Sequence, residues 1–144
     1  MKAILDTNIV LDVLLERRPF VEPAAKMFGL AEHNQFNGML CATTVTTVHY
    51  LLSQAFPREE ARQVLSKLLS LFDVAAVNRH VIERALDSGI RDFEDAVLSE
   101  AGQLAGAECI ITRNARDFRK SPLRILDPAE FLANFRTSGE GAES

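Results

Sequence analysis

A chain of 144 residues that is 47% hydrophobic and 25% charged has the size and apolar content of one folded domain with an ordinary core. No apolar run reaches the roughly 18 residues that a membrane span requires. A formal charge of −4 argues against a general polyanion binder, although it leaves room for a local basic site.

Taken in chain order, Lys2–Asp6 reads as a short buried strand. Asp6 interrupts the apolar stretch and no small-residue cleavage site follows, so a secretory signal is not expected. A helix is predicted over Asn8–Leu15, broken by "RRPF", and another over Glu22–Asn34. "FNGMLCA", Phe36–Ala42, is a strand with a glycine inside it. Thr43–Ala55 follows as a helix, because Val45, Val48, Leu51, Leu52 and Ala55 recur at helical spacing. Beyond Pro57 come a helix over Arg58–Leu71, a strand over Phe72–Val77, and a helix over Asn78–Ser88 stopped by Gly89. The next helix, Asp92–Ala105, carries the stripe Phe93, Val97, Ala101 and Leu104. "CIIT", Cys109–Thr112, is a strand, "RNARDF" a turn or short helix, and Leu123–Leu126 the last strand before a helix opened by Pro128. A single domain over residues 1–136 and a frayed polar tail over 137–144 are expected. Cys41 and Cys109 lie in apolar segments and read as reduced core residues of a cytoplasmic protein.

Strands alternating with helices predict an α/β fold, a parallel sheet covered on both faces. In such sheets ligands bind outside the carboxyl ends of the strands. Asp6 ends the first strand, Asp117 lies five residues past the strand ending at Thr112, and the helix opening at Asp92 starts from the same rim. Topology thus gathers Asp6, Asp95 and Asp117, far apart in sequence, at one edge. Each has a plainer reading: Asp6 as a turn or helix cap, Asp92 as an N-cap with Asp95 favoured by the helix dipole, Asp117 as partner of Arg113 or Arg116. Asp12, within the first helix, reads as a solvated charge.

Three close carboxylates repel one another unless a cation intervenes. Oxygen-only donors suit Mg²⁺ or Mn²⁺, which can activate water for attack on a phosphoryl group. Asn8, Thr112 and Asn114 supply neutral polar groups at the same rim. Arg113, Arg116, Arg119 and Lys120 form a basic run, read either as solvated surface or as phosphate contacts, with Arg113 and Arg116 the pair expected to make them.

These motifs, "ILDTNIVLDVL", "DFEDAVLSEAGQLAGAECIITRNARDF" and "LRILDPAEFL", together resemble the PIN-domain nucleases, which include ribonuclease toxins of bacterial toxin–antitoxin pairs. The resemblance covers residues 2–135. It implies a PIN-like three-layer α/β/α sandwich with four to five parallel strands. It further implies metal-dependent hydrolysis of RNA phosphodiesters, with Asp6, Asp95 and Asp117 as the catalytic, metal-binding acids and Asn8 and Thr112 as supporting groups. A small antitoxin that places a basic residue into the acidic crevice is the implied partner. The helices Glu22–Asn34 and Arg58–Leu71 offer apolar surface either to such a partner, to a second copy in a homodimer, or simply to the core. Many family members carry a glutamate in the helix after the second strand. "CATTVTTVHYLL" has none, and His49 falls near that position, read either as a packed helix residue or as a phosphate contact and proton carrier. The missing acid keeps open a catalytically weak RNA- or partner-binding module. A haloacid-dehalogenase-like phosphohydrolase is disfavoured because Asn8 stands where that chemistry wants a second aspartate.

Overall fold

The computed structural model describes residues 1–143, with side chains through residue 135. Five strands, β1 (Lys2–Leu5), β2 (Asn37–Cys41), β3 (Asp73–Ala75), β4 (Cys109–Ile111) and β5 (Arg124–Leu126), form one sheet of order β3-β2-β1-β4-β5. Every neighbouring pair is parallel. The helices are α1 (Thr7–Leu14), α2 (Val21–Glu32), α3 (Ala42–Ala55), α4 (Arg58–Leu71), α5 (Arg79–Leu86), α6 (Phe93–Leu104) and α7 (Pro128–Glu143), with a 3₁₀ turn at Ala115–Phe118. The polar tail expected over 137–144 falls on the last turns of α7 and on Ser144, which lies outside the described residues. No described helix is long and apolar enough to cross a membrane.

Successive strand residues point to opposite faces, and the two cores divide accordingly. Ala3, Leu5, Leu40 and Ile111 face a core built with α1, α2, α3, α4 and α7. Ile4, Met39, Cys41 and Ile110 face a second core with α5 and α6. The result is a three-layer α/β/α sandwich. The apolar faces of α2 and α4 are used in the first core, through Ala24, Met27, Ala31, Ala61 and Leu68. The stripe read in α6 is corrected. Phe93 and Leu104 are exposed, whereas the whole run Ala96–Gly102 is buried, because α6 is packed on the sheet and flanked by α5 and the 3₁₀ turn.

The glycine inside β2 has a packing reason. A Cβ on Gly38 would lie 2.6 Å from Cδ1 and 2.7 Å from Cε1 of buried Phe72. Overpacking of this kind typically costs about 1–3 kcal/mol. Gly38→Ala is therefore expected to destabilise the protein by about that amount, read from the urea midpoint, without touching the rim where the acids lie.

Cys41 and Cys109 are free and buried. Burial pushes the Cys109 thiol up to about 11, so it stays protonated and packs as a small apolar group.

Candidate active site

The chain lays down β1, β2 and β3 in one direction, then returns to place β4 on the other side of β1. The reversal opens a crevice at the carboxyl ends of β1 and β4. Asp6 follows β1 there. It occupies the backbone N-cap of α1 but its side chain makes no capping bond to that helix. Instead Oδ2 accepts a hydrogen bond of 2.8 Å from Thr112 Oγ1, which in turn accepts from the Asn114 backbone N–H at 2.9 Å. The Asp6 N–H donates to the Ile111 carbonyl at 2.9 Å. Asp6 is thus fixed to β4 rather than spent on its own helix.

Asp92 does cap α6, its Oδ1 accepting from the Asp95 N–H at 3.0 Å. That cap places Asp95 in the first turn, half-buried and turned toward the crevice. The 3₁₀ turn presents Asp117, whose N–H donates to the Asn114 carbonyl. Asp6, Asp95 and Asp117, with Asn8, Asp92 and Asn114, line a single cavity of about 430 Å³. Thr112 lies directly behind Asp6, fully buried.

The electrostatics agree with that convergence. Burial raises the Asp95 carboxyl to about 7, with further upward pushes from Asp6, Asp92, Asp117 and Glu94. Burial also raises Asp6. The Thr112 hydrogen bond, the Thr7 backbone N–H and the Arg113 charge oppose that rise, and Asp117 adds to it. An acid whose pKa is higher in the folded than in the unfolded chain stabilises the fold at low pH. That stability is lost as pH rises from about 4 through 7. Solvent screening in an open cavity discounts the full linkage value to about 1–2 kcal/mol. Metal-free protein is accordingly expected to unfold at lower urea concentration at pH 8 than at pH 5, and Asp95→Asn to remove most of the difference.

Four further polar residues, which the sequence does not single out as site groups, line the cavity. Thr47 of α3 and Glu94 of α6 line the cavity and are joined by a hydrogen bond of 3.3 Å from Thr47 Oγ1 to Glu94 Oε1. Arg17, past the end of α1, brings a cation to the same wall, and Thr7 a hydroxyl bonded to Thr44 at 2.9 Å. His49 is corrected: it is exposed and outside the cavity lining. Two residues along a helix is about 200° of rotation, so with Thr47 and Leu51 facing the cavity, His49 is carried to the far side.

Asp12 and Arg113 are corrected as well. Asp12 is completely buried, and Arg113 grips it in a fork, Nε to Oδ2 at 2.6 Å and Nη2 to Oδ1 at 3.1 Å. The guanidinium also stacks 3.8 Å above the Phe20 ring. Arg113 is consumed by this pair and turns away from the position expected of an RNA contact. Arg116 is exposed, on the other side of Asp117.

The donor chemistry fits a hard divalent ion: carboxylates, amide oxygens and hydroxyls, clustered so that like charges push Asp95 upward. One part of the expectation is corrected. Among the described residues no group of three or more His, Cys, Asp or Glu side chains is arranged to hold a metal ion. The acids arrive from three separate elements and repel one another. The arrangement therefore suits an ion that takes one or two carboxylates directly and reaches the rest through water, as Mg²⁺ commonly does.

The family model for the PIN domain matches residues 2–116. The chain belongs to the PIN domain family. Among relatives with that fold, ribonuclease VapC1 of Aquifex aeolicus is 21% identical over 141 residues, covering 94% of this chain and 96% of the relative. The DNA-bound VapBC structure from Salmonella typhimurium superposes with a TM-score of 0.67 at 17% identity, over 89% of this chain and 98% of that one. A toxin–antitoxin complex from Klebsiella pneumoniae gives 0.65 at 24% identity, over 88% and 97%. The five-stranded parallel sandwich is thus the PIN fold, in agreement with the architecture expected from the sequence.

Proposed function

We propose that this PIN domain is a metal-dependent endoribonuclease that hydrolyses RNA phosphodiester bonds and serves as the toxin of a toxin–antitoxin pair. The observation that carries the reading is the single acidic cavity at the β1/β4 crevice, in which Asp6, Asp95 and Asp117 meet. Mg²⁺ or Mn²⁺, held by these three acids directly or through water, would polarise the phosphoryl oxygen and raise the acidity of the attacking water. Asp6 is the fixed acceptor, oriented by Thr112. Burial raises the Asp95 carboxyl to about 7 in the metal-free protein; where it reaches the ion through water rather than directly, Asp95 is the group placed to take the proton of the attacking water. The water oxygen bonds to phosphorus, the P–O bond to the leaving ribose oxygen breaks, and that oxygen takes its proton from a solvent water, the balance closing when Asp95 releases its own proton to solvent. Asn8, Asn114 and Thr47 orient water and phosphate, Glu94 joins Asp92 as a further carboxylate of the lining, and Arg17 supplies a positive charge on the cavity wall.

The partner in this reading is a small antitoxin that offers a basic side chain to the acidic cavity. Support comes from relatives solved as toxin–antitoxin complexes. A homodimer belongs to the same proposal. The test is to incubate the purified protein with single-stranded and structured RNAs in Mn²⁺ or Mg²⁺ and, in parallel, in chelator. Cleavage confined to the metal samples is expected; cleavage that ignores chelator would end the mechanism.

A second reading, a non-catalytic RNA-binding module, is favoured by the lack of a three-acid metal set among the described residues. Asp95→Asn separates the two. A catalyst loses cleavage, whereas a binder holds RNA more tightly once a negative charge is gone.

A further inference from the structure

The basic run "RNARDFRK" is split by the fold. Arg113 is paired with buried Asp12, while Arg116, Arg119 and Lys120 line a cavity on the other side of the 3₁₀ turn. There they meet Arg91, from the segment that leads into α6, around a second cavity of about 440 Å³. None of these four cations makes an ion pair among the described residues, and the cavity concentrates them around one wall. Asp117 lines both cavities. The boundary between them falls inside two Arg–Asp pairs: Arg91 and Arg116 belong to the basic side, while Asp92 faces the acidic one and Asp117 faces both. Gly89 forms another part of the basic wall with φ +78°, a conformation that favours glycine, and the Lys120 chain lies across it, Cδ 3.3 Å from where a Cβ would stand.

We propose that this second cavity is a phosphate-binding tract for single-stranded RNA, which leads the strand away from the acidic cavity on one side only, across Asp117. It rests on the nuclease reading for its direction, but not for its binding. Guanidinium forks suit phosphate oxygens, and four cations against the single carboxylate of Asp117 in the same cavity provide the attraction that the acidic cleft itself denies to a polyanion. The other walls of the acidic cavity offer only Arg17 as a positive charge. A strand is therefore held chiefly by its phosphates on the basic side, and cleavage requires several nucleotides there and few on the other.

The experiment measures binding of a fluorescein-labelled 12-nucleotide single-stranded RNA by anisotropy, from low to moderate KCl, in the Asp95→Asn background to prevent turnover. Single-stranded binding changes with a log–log salt slope of about −0.7 per phosphate neutralised. Arg91→Gln/Arg119→Gln/Lys120→Gln should flatten the slope by about 2 and weaken low-salt binding by at least about tenfold. Arg62→Gln/Arg79→Gln, on other surfaces, should leave both unchanged. Thermal melting establishes that the triple variant folds; if it does not, Lys120→Gln alone should flatten the slope by about 0.7. An unchanged slope, or no RNA binding by the parent, overturns the proposal. So does equal, equally sensitive binding of a polyglutamate peptide, which would make the tract a site for acidic protein. RNA binding of the expected kind without cleavage by the unmutated protein would sink the nuclease reading and leave this one standing.

Discussion

Asp6→Asn is expected to lower Mn²⁺-dependent RNA cleavage by about a hundred- to a thousandfold while leaving the protein at least as stable as before. Asparagine keeps the size of the side chain and an oxygen for Thr112 Oγ1, so the bond between the end of β1 and β4 survives. What disappears is a negative charge that is 6% exposed and held against the preference of its surroundings. Losing that charge relieves the metal-free fold, because the acids no longer repel as strongly. Catalysis moves the other way. Removing one preorganised electrostatic group from an active site typically costs about 3–4 kcal/mol of transition-state stabilisation, at roughly 1.4 kcal/mol per tenfold. Initial cleavage rates at saturating Mn²⁺, set beside urea midpoints of the same samples, separate the two effects. Undiminished cleavage by Asp6→Asn would remove the acidic cavity from the reaction.

Arg113→Ala carries the largest expected stability effect, a loss of about 3 kcal/mol or more. Breaking a buried pair by deleting one partner leaves a buried charge without compensation, typically at a cost of about 3–5 kcal/mol. Asp12 has no exposure at all, and its remaining cation, Arg17, stands 3.8 Å away with a side chain 39% exposed. The loss of stacking on Phe20 adds to the cost. Replacing both partners with apolar residues, Asp12→Leu/Arg113→Met, should recover most of the stability, since matched apolar pairs often equal buried ion pairs. Cleavage should not recover with it. Arg113 sits between Thr112 and Asn114, and its grip on α1 sets where both lie relative to Asp6. Denaturation and cleavage assays on the single and double variants check both statements. A double variant with full activity would make the pair a matter of stability alone.

The elements and the rim were legible because alternation of apolar strands and amphipathic helices leaves few topologies for a parallel sheet. That logic carried Asp6, Asp95 and Asp117 to one cavity, together with Asn8, Asp92 and Asn114, although they are scattered from residue 6 to residue 117. It worked because strand ends and helix starts are marked locally, by Asp92 capping α6 for example. Rotation about a helix was less legible. In α3 the buried positions are Thr44, Val48 and Leu52, so a threonine takes a core place and the apolar spacing alone does not fix which residue faces the cavity. The two readings of His49 stay open in the sequence for that reason, and Thr47 does not stand out from its neighbouring threonines. Partnerships across the chain left no local mark at all. Asp12 looks like any solvated helix acid until Arg113, 101 residues later, is laid against it.

The lateral bond between Thr112 and Asp6 spans 106 positions of sequence. During synthesis the first acid leaves the ribosome long before the strand that will orient it exists. Chains are made at about 5–20 residues per second, so that interval lasts several seconds. A premature stop anywhere upstream of β4 yields a fragment in which Asp6 has no Thr112 to orient it and Asp117 is missing from the cavity.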